Sequence, residues 1–274
     1  MKTAKWAVIM VLGTMLSIGI APAPGLASSI LGSAQDFAVL GASTVTNAGS
    51  STIYGSLGVD PTNSIVGFPL GTVTGGSIYG SGGVSNLGQS AALTAYNTLA
   101  GLSVTTNLTG QDLGGLTLTP GVYKFNSSAQ LTGVLNLDFL GNPNANFIFQ
   151  IGDTLTTASS SSVNVVNGNS TSGVYWQVGS SATLGTSTMF AGNILANQSI
   201  TLNNKADILS GRAIALNAAV TMDANRISNN GTLQNFGSYG FSGGSVTPVP
   251  LPSTILLFGP ALVGLGMLRR RFTK

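Results

Sequence analysis

The sequence predicts a mainly β protein, a solenoid of stacked coils, and three observations carry that reading. The strings NFIFQIGDTLTT (146–157) and GVYWQVGSSATL (173–184) repeat each other about one structural turn apart, the mark of a coil stacked on itself. Within them Phe147, Phe149 and Ile151 alternate with Ile148 and Gln150, and Val174, Trp176 and Val178 alternate with Tyr175 and Gln177, a strand's period of two. The later segments SITLNNKADIL and AAVTMDANRI keep apolar residues at Ile200, Leu202, Ile208, Val220 and Met222, with small or polar residues between them. Flat outer faces are the main functional asset of such a stack.

The elements follow in chain order. Residues 1–27 read as a signal peptide: Lys2 and Lys5, an apolar stretch from Trp6 to Ile20, and Gly25-Leu26-Ala27 before the cut. The apolar run is shorter than the ~20 residues a membrane span requires. The stretch FAVLGASTVTNAGSSTIYGSLGVDP then breaks at Gly49, Gly55 and Asp60-Pro61, giving short strands with glycine corners, and GTVTGGSIYG adds another piece. Between Ser85 and Leu99 the period changes. Leu87, Ala91, Ala92, Ala95 and Leu99 fall at spacings of three and four, predicting a helix opened by Ser85 or Asn86 and closed near Gly101. Its single apolar stripe implies that it covers one face of the solenoid.

After the helix, Pro120-Gly121 marks a turn and Val122, Phe125, Leu131, Val134, Leu135 and Leu137 supply core, with a further corner at Asn142-Pro143. From Phe147 to Ile227 no helix is long enough to make βαβ units, which excludes Rossmann and barrel folds. The chain closes on a Pro-rich break, TPVPLPS, an apolar run from Thr254 to Leu268, and Arg269-Arg270-Arg271, which the positive-inside rule holds in the cytoplasm. The expected organisation is therefore 1–27 signal peptide, 28–240 solenoid domain, 241–252 Gly/Pro-rich linker and 253–274 apolar sorting or anchor segment. Residues 249–271 resemble the PEP-CTERM sorting tag of bacterial exported proteins, with Leu251 where the commonest form has Glu. That resemblance implies an exosortase-type processing protease as a partner. A simple tail anchor is the alternative, and either way the only membrane contact is through this segment. The expected location is secreted or at the cell surface.

Composition narrows the chemistry. Only 6% of the 274 residues are charged, and there is no His, Cys or Glu. Much of the net charge of +3 sits at the two ends. Lys124, Lys205, Arg212 and Arg226 face seven Asp, so the body is net negative and offers no basic stripe for nucleic acid. Without cysteine, stability must come from ladder hydrogen bonds and core burial, which a body of this length can supply. Ser-His-Asp and Cys-His nucleophiles and His or thiolate metal sites are excluded, and no cofactor is expected. Asp207, Lys205, Arg212 and Asp223 are the residues to check for a calcium-dependent polysaccharide lyase, although their spacing does not bring several carboxylates together.

Outward positions are rich in hydroxyls instead: Thr44, Thr46, Thr52, Thr154, Thr156, Thr157, Thr183, Thr186, Thr188, Thr201 and Thr221, with Ser50, Ser51 and Ser159 to Ser161. Strands ~4.8 Å apart with every second residue ~6.7 Å along would set these in a near-planar grid able to order water. Composition leaves two readings open, a water-ordering face or hydroxyls that merely suit strands and solubilise a low-charge surface.

From about Leu31 to Ser228 the chain resembles the ice-binding proteins of polar bacteria, diatoms and fungi. The resemblance rests on LGSAQDFAVLGASTVTNAGSSTIYGSLGVDP, GFPLGTVTGGSIYG, ALTAYNTLAG, LTPGVYKF, FIFQIGDTLTTASSSSV, VYWQVGSSATLGTSTMFAGNILA and GRAIALNAAVTMD. It implies a right-handed β-helix of roughly triangular section with one long α-helix packed alongside, while the missing His, Cys and Glu give the expectation of no enzyme activity. It also implies an ice crystal surface as the partner, met by a flat face bearing a Thr-Ala/Gly-x-Thr/Asn pattern. Carried onto this chain, the pattern falls at Thr157 to Ser160, Ala48 to Ser51, Asn204 to Asp207 and Asn217 to Val220. The candidate contact residues are therefore Ala48, Ser51, Thr157, Ser160, Asn204, Asp207 and Asn217, with Thr186 and Thr188 beside them. Lys205 and Asp207 bring strong hydration shells to this pattern, so the expected activity is ice shaping and recrystallisation inhibition with modest thermal hysteresis. An extracellular matrix or adhesive solenoid that ignores ice is the alternative.

Overall fold

Each run of alternating apolar and small residues has one side to bury, and in a stack every coil buries that side against the coils above and below. The computed structural model describes residues 30–229 except Pro143 and residues 169–171, and the expected signal peptide, linker and sorting segment lie outside the described residues. Strand pairing is parallel throughout and falls into three ladders. The repeat seen in the sequence is one rung of the first: Asn146–Ile151 pairs with Gly173–Val178, residue for residue.

That first ladder climbs through Thr106–Asn107, Gly121–Phe125, Asn146–Ile151, Gly173–Val178, the later halves of Met189–Ala196 and Asp207–Ala215, then Phe37–Gly41, Ser56–Val59 and Ile78–Tyr79. The second contains Ala129–Leu131, Leu155–Thr157, Ala182–Leu184, Ile200–Leu202, Val220–Met222, Val45–Asn47 and Ile65–Val66. The third joins Thr117–Leu118, Val134–Asp138, Ser162–Val166, the first residues of Met189–Ala196 and Asp207–Ala215, then Arg226–Ser228, Thr52–Tyr54 and Thr72–Thr74. Spatial order departs from chain order at one place. The N-terminal coil sits directly on the last one, with Val39 beside Ala213 and Val45 beside Val220.

Inward residues fill the core in columns. Tyr123, Phe149 and Trp176 occupy one register position on three successive coils. The Phe149 and Trp176 rings stack at 3.9 Å and 8°, and the Trp176 indole N–H donates to the Ala191 carbonyl at 3.0 Å. Gly192 makes room for that indole, since a Cβ there would lie 2.5 Å from Nε1 on a backbone already at φ 115°.

The helix α1 (Gly83–Ala100) carries the chain from one end of the stack back to the other and lies on the first ladder. It is longer at both ends than the apolar spacing predicts. Its N-cap is Gly82, with no side chain of its own in the capping role, and Ser85 is buried inside the helix. The Asp60 carboxylate takes the capping role instead, accepting from the Gly82 N–H at 2.7 Å, the Ser81 hydroxyl at 3.0 Å and the Asn86 amide at 3.0 Å. The buried stripe is Ser85, Gly88, Ala92, Ala95 and Leu99, packed on Phe37, Leu40, Ile148, Tyr175, Leu195 and Ile214. Leu87, expected in that stripe, is 60% exposed. The reason is close packing: a Cβ on Gly88 would stand 2.7 Å from the Phe37 ring, so the helix seats on its smallest residue. At the other end Gln150 donates to the Leu99 and Leu102 carbonyls at 2.8 and 2.9 Å, satisfying groups that a helix C-terminus leaves open. Helix α1 thus covers the first ladder, and among the described residues nothing covers the second and third.

Candidate functional site

The second ladder sets one outward residue of each coil side by side: Gln130, Thr156, Thr183, Thr201, Thr221, Thr46 and Val66. Strand alternation dictates this. Ala129, Leu155, Ala182, Ile200, Val220 and Val45 point into the core, so the residue after each points out. Five consecutive positions are threonine, with neighbouring rungs ~4.8 Å apart. Among the described residues the hydroxyls of Thr156, Thr183, Thr201 and Thr221 meet no protein partner.

Two residues earlier on each coil runs a second outward column, Ser128, Thr154, Ser181, Ser199, Ala219, Thr44 and Ser64, aligned by the backbone bonds between rungs. Its hydroxyls largely bond one another. Thr154 donates to Ser128 at 2.8 Å, Ser181 and Ser199 lie 3.0 Å apart, and Thr44 lies 3.2 Å from Ser64. This column stiffens the face, while Thr156, Thr183, Thr201 and Thr221 present free hydroxyls and methyls and the Thr46 hydroxyl lies 3.4 Å from that of Thr44. Neither column contains a charged residue.

The third ladder is different in kind. Its outward column reads Val134, Ser162, Met189, Asp207, Arg226, Thr52 and Thr72, and the Arg226 guanidinium pairs with Asp207 at 2.9 Å in its middle. Met189 beside the pair is 51% exposed. An ion pair and a protruding thioether make this face uneven and strongly hydrated.

The structure scatters the residues expected from the four-residue pattern. Thr157, Thr188 and Ser51 are buried and cannot touch an external surface. Thr157 and Thr188 share a hydroxyl contact of 2.8 Å, the Gly185 N–H donates to Thr157 at 2.8 Å, and Ser51 donates to Asn47 at 2.6 Å. The physical reason is parity: Thr157 follows outward Thr156, so the period of two turns it inward. Ser160 and Thr186 are exposed in corner turns beyond the threonine column, and Asn204 is in another, donating to Asp223 at 3.1 Å. Asn217 lies at the opposite corner, bonded to the Asn197 carbonyl at 2.7 Å. Asp207 belongs to the third ladder. Ala48 alone is adjacent to the threonine column, at the next outward position after Thr46. The threonines that do align were legible among the outward hydroxyls of the sequence. Anchoring the period on Leu155, Ala182, Ile200 and Val220 selects them.

The four residues checked for lyase chemistry do not converge either. Arg212 is buried, bonding the Gln35 carbonyl at 2.7 and 2.9 Å and Asn193 at 2.7 Å, where it fastens the N-terminal turn to the stack. Asp207 is taken by Arg226, and no group of three candidate metal-ligating side chains occurs among the described residues.

A family model described as ice-binding-like matches residues 39–228, a span that takes in the whole threonine column. The chain belongs to the ice-binding-like family. A relative named ice-binding protein from Nostoc sp. (strain HG1) is 55% identical over 225 residues, which cover 82% of each chain. Another from Flammulina populicola is 32% identical over 231 residues, 76% of this chain and 90% of the relative. Among solved structures, an ice-binding protein from an Antarctic biological consortium superposes with a TM-score of 0.69 at 39% identity, covering 81% of this chain and 96% of that one. The ice-binding protein of Antarctomyces psychrotrophicus gives 0.69 at 38% identity, covering 73% and 97%. Within this family, then, the described residues keep a mainly β fold of parallel sheets with one α-helix.

Proposed function

We propose that this protein adsorbs to ice through the second ladder, with Thr46, Thr156, Thr183, Thr201 and Thr221 as the contact column. The observation that carries the reading is the in-register run of five threonines on a face that no described residue covers and whose two central columns hold no charge. Free hydroxyls at a regular spacing anchor water, and the methyls between them leave that water no competing partner. Family membership and relatives named for ice binding support the same reading.

The fuller form of the proposal is a right-handed coil of roughly triangular section, exported after cleavage behind Ala27. Its C-terminal segment is cut by an exosortase-type protease, leaving the domain secreted or at the cell surface. Activity is recrystallisation inhibition and ice shaping with modest thermal hysteresis. Lys205 and Asp207 lie off the contact column, so they are not what limits activity. The limit is a single column of free hydroxyls beside one whose hydroxyls largely bond each other.

The test is fluorescent labelling of the full chain on a growing ice crystal. A bound layer is expected, and Thr183→Tyr, which stands a ring above the plane at mid-column, should remove it while the circular dichroism spectrum stays unchanged. Exclusion of the unsubstituted protein from the ice would favour the matrix or adhesive role instead.

A further inference from the structure

The threonine column stops differently at its two ends. Next to Thr156 stands Gln130, whose side chain carries an amide beyond the γ position at which a threonine ends. Gln130 is exposed, and beyond it the coil continues only as an isolated bridge to Asp112. A plane laid on the threonines meets this amide first. Next to Thr46 stands Val66, 53% exposed on the last strand of the ladder. Valine has the shape of threonine, so the face stays level there and only the hydroxyl is lost. One end is closed by height and the other by chemistry.

We propose that Gln130 and Val66 are the residues that set the extent of the ice contact, holding it to five coils on a ladder that has seven. The inference rests on the ice-contact reading of the second ladder. It assigns a boundary role to two residues whose backbones already lie in register with the column, so that a threonine at either place extends the site without moving the chain.

The experiment compares the full chain with Gln130→Thr, Val66→Thr and the double variant, and with Met189→Thr on the third ladder as a control. The readout is the concentration for half-maximal recrystallisation inhibition, with thermal melts to verify equal folding. Each end substitution should lower that concentration by about twofold, equivalent to ~0.4 kcal/mol, and the double variant by about fourfold. Met189→Thr should leave it unchanged. If the unsubstituted chain inhibits recrystallisation but neither end variant improves on it, or if Met189→Thr improves it equally, the boundary assignment is wrong while the ice reading stands. If the unsubstituted chain is itself inactive, the ice reading fails first.

Discussion

The Thr157 and Thr188 hydroxyls meet at 2.8 Å inside the stack, 31 residues apart in the chain, and together tie two successive corners. The Gly185 N–H also donates to Thr157, and Thr188 reaches the Ala158 carbonyl at 3.2 Å. Thr157→Val should therefore strand the buried Gly185 N–H and leave the Thr188 hydroxyl only its Ala158 contact, costing about 1–3 kcal/mol in a denaturant melt. Thr157→Tyr overfills the same site and should lower stability further. Ice adsorption by whatever remains folded at low temperature should be intact.

Thr201 separates the two chemical parts of the contact. Thr201→Val keeps the shape and removes the hydroxyl, while Thr201→Ser keeps the hydroxyl and removes the methyl. Each should weaken recrystallisation inhibition, the valine by the worth of one hydrogen bond, about 0.5–1.5 kcal/mol. Neither should move the melting temperature, because the side chain is outward and has no protein partner among the described residues.

Asp60 links the second coil to the start of helix α1. The Gly82 N–H beside it holds its carboxyl below the usual 3.8 against the opposing push of burial, with Asn86 and Ser81 adding to the effect. A depressed folded value means that the stabilisation is fully present above pH 3.8 and is lost as pH falls through the folded value. Asp60→Ala should cost about 1 kcal/mol at neutral pH, as loss of a helix cap does, and should flatten the acid limb of a stability–pH curve.

Adsorption itself should not depend on pH across the neutral range. The two central columns of the contact face hold no titratable side chain. Recrystallisation assays at about pH 6 and pH 8 should agree.

Trp176 stands at the centre of the aromatic column, between Phe149 at 3.9 Å and Phe190 at 4.9 Å. Trp176→Ala should cost about 3–5 kcal/mol by cavity formation. Gly192→Ala reaches the same spot from the opposite side, pressing a methyl on the indole, and should destabilise without opening a cavity.

The stacking was legible because Phe147 to Ile151 and Val174 to Val178 repeat both their period and their residue types on paired rungs. The helix was legible from its apolar spacing, but its true seat on Gly88 was not, because the fit depends on the Phe37 ring, far away in sequence. The contact column was within reach of a period-two reading, since Thr156, Thr183, Thr201 and Thr221 each follow an apolar residue. The four-residue family pattern led one residue astray at Thr157, because a linear pattern does not say where a strand ends and a corner begins. The placement of the N-terminal coil on the last one leaves no local trace, as it depends on residues such as Gln35 and Arg212, 177 positions apart.

That placement also dictates when the molecule can finish. One edge of the N-terminal coil is met at once by the coil that follows it, Phe37–Gly41 on Ser56–Val59, but the other edge is met only by Asp207–Ala215 and Arg226–Ser228, far along the chain. Such long-range closure makes for slow maturation. It keeps the second edge of that coil open until the rungs at 207–228 have formed.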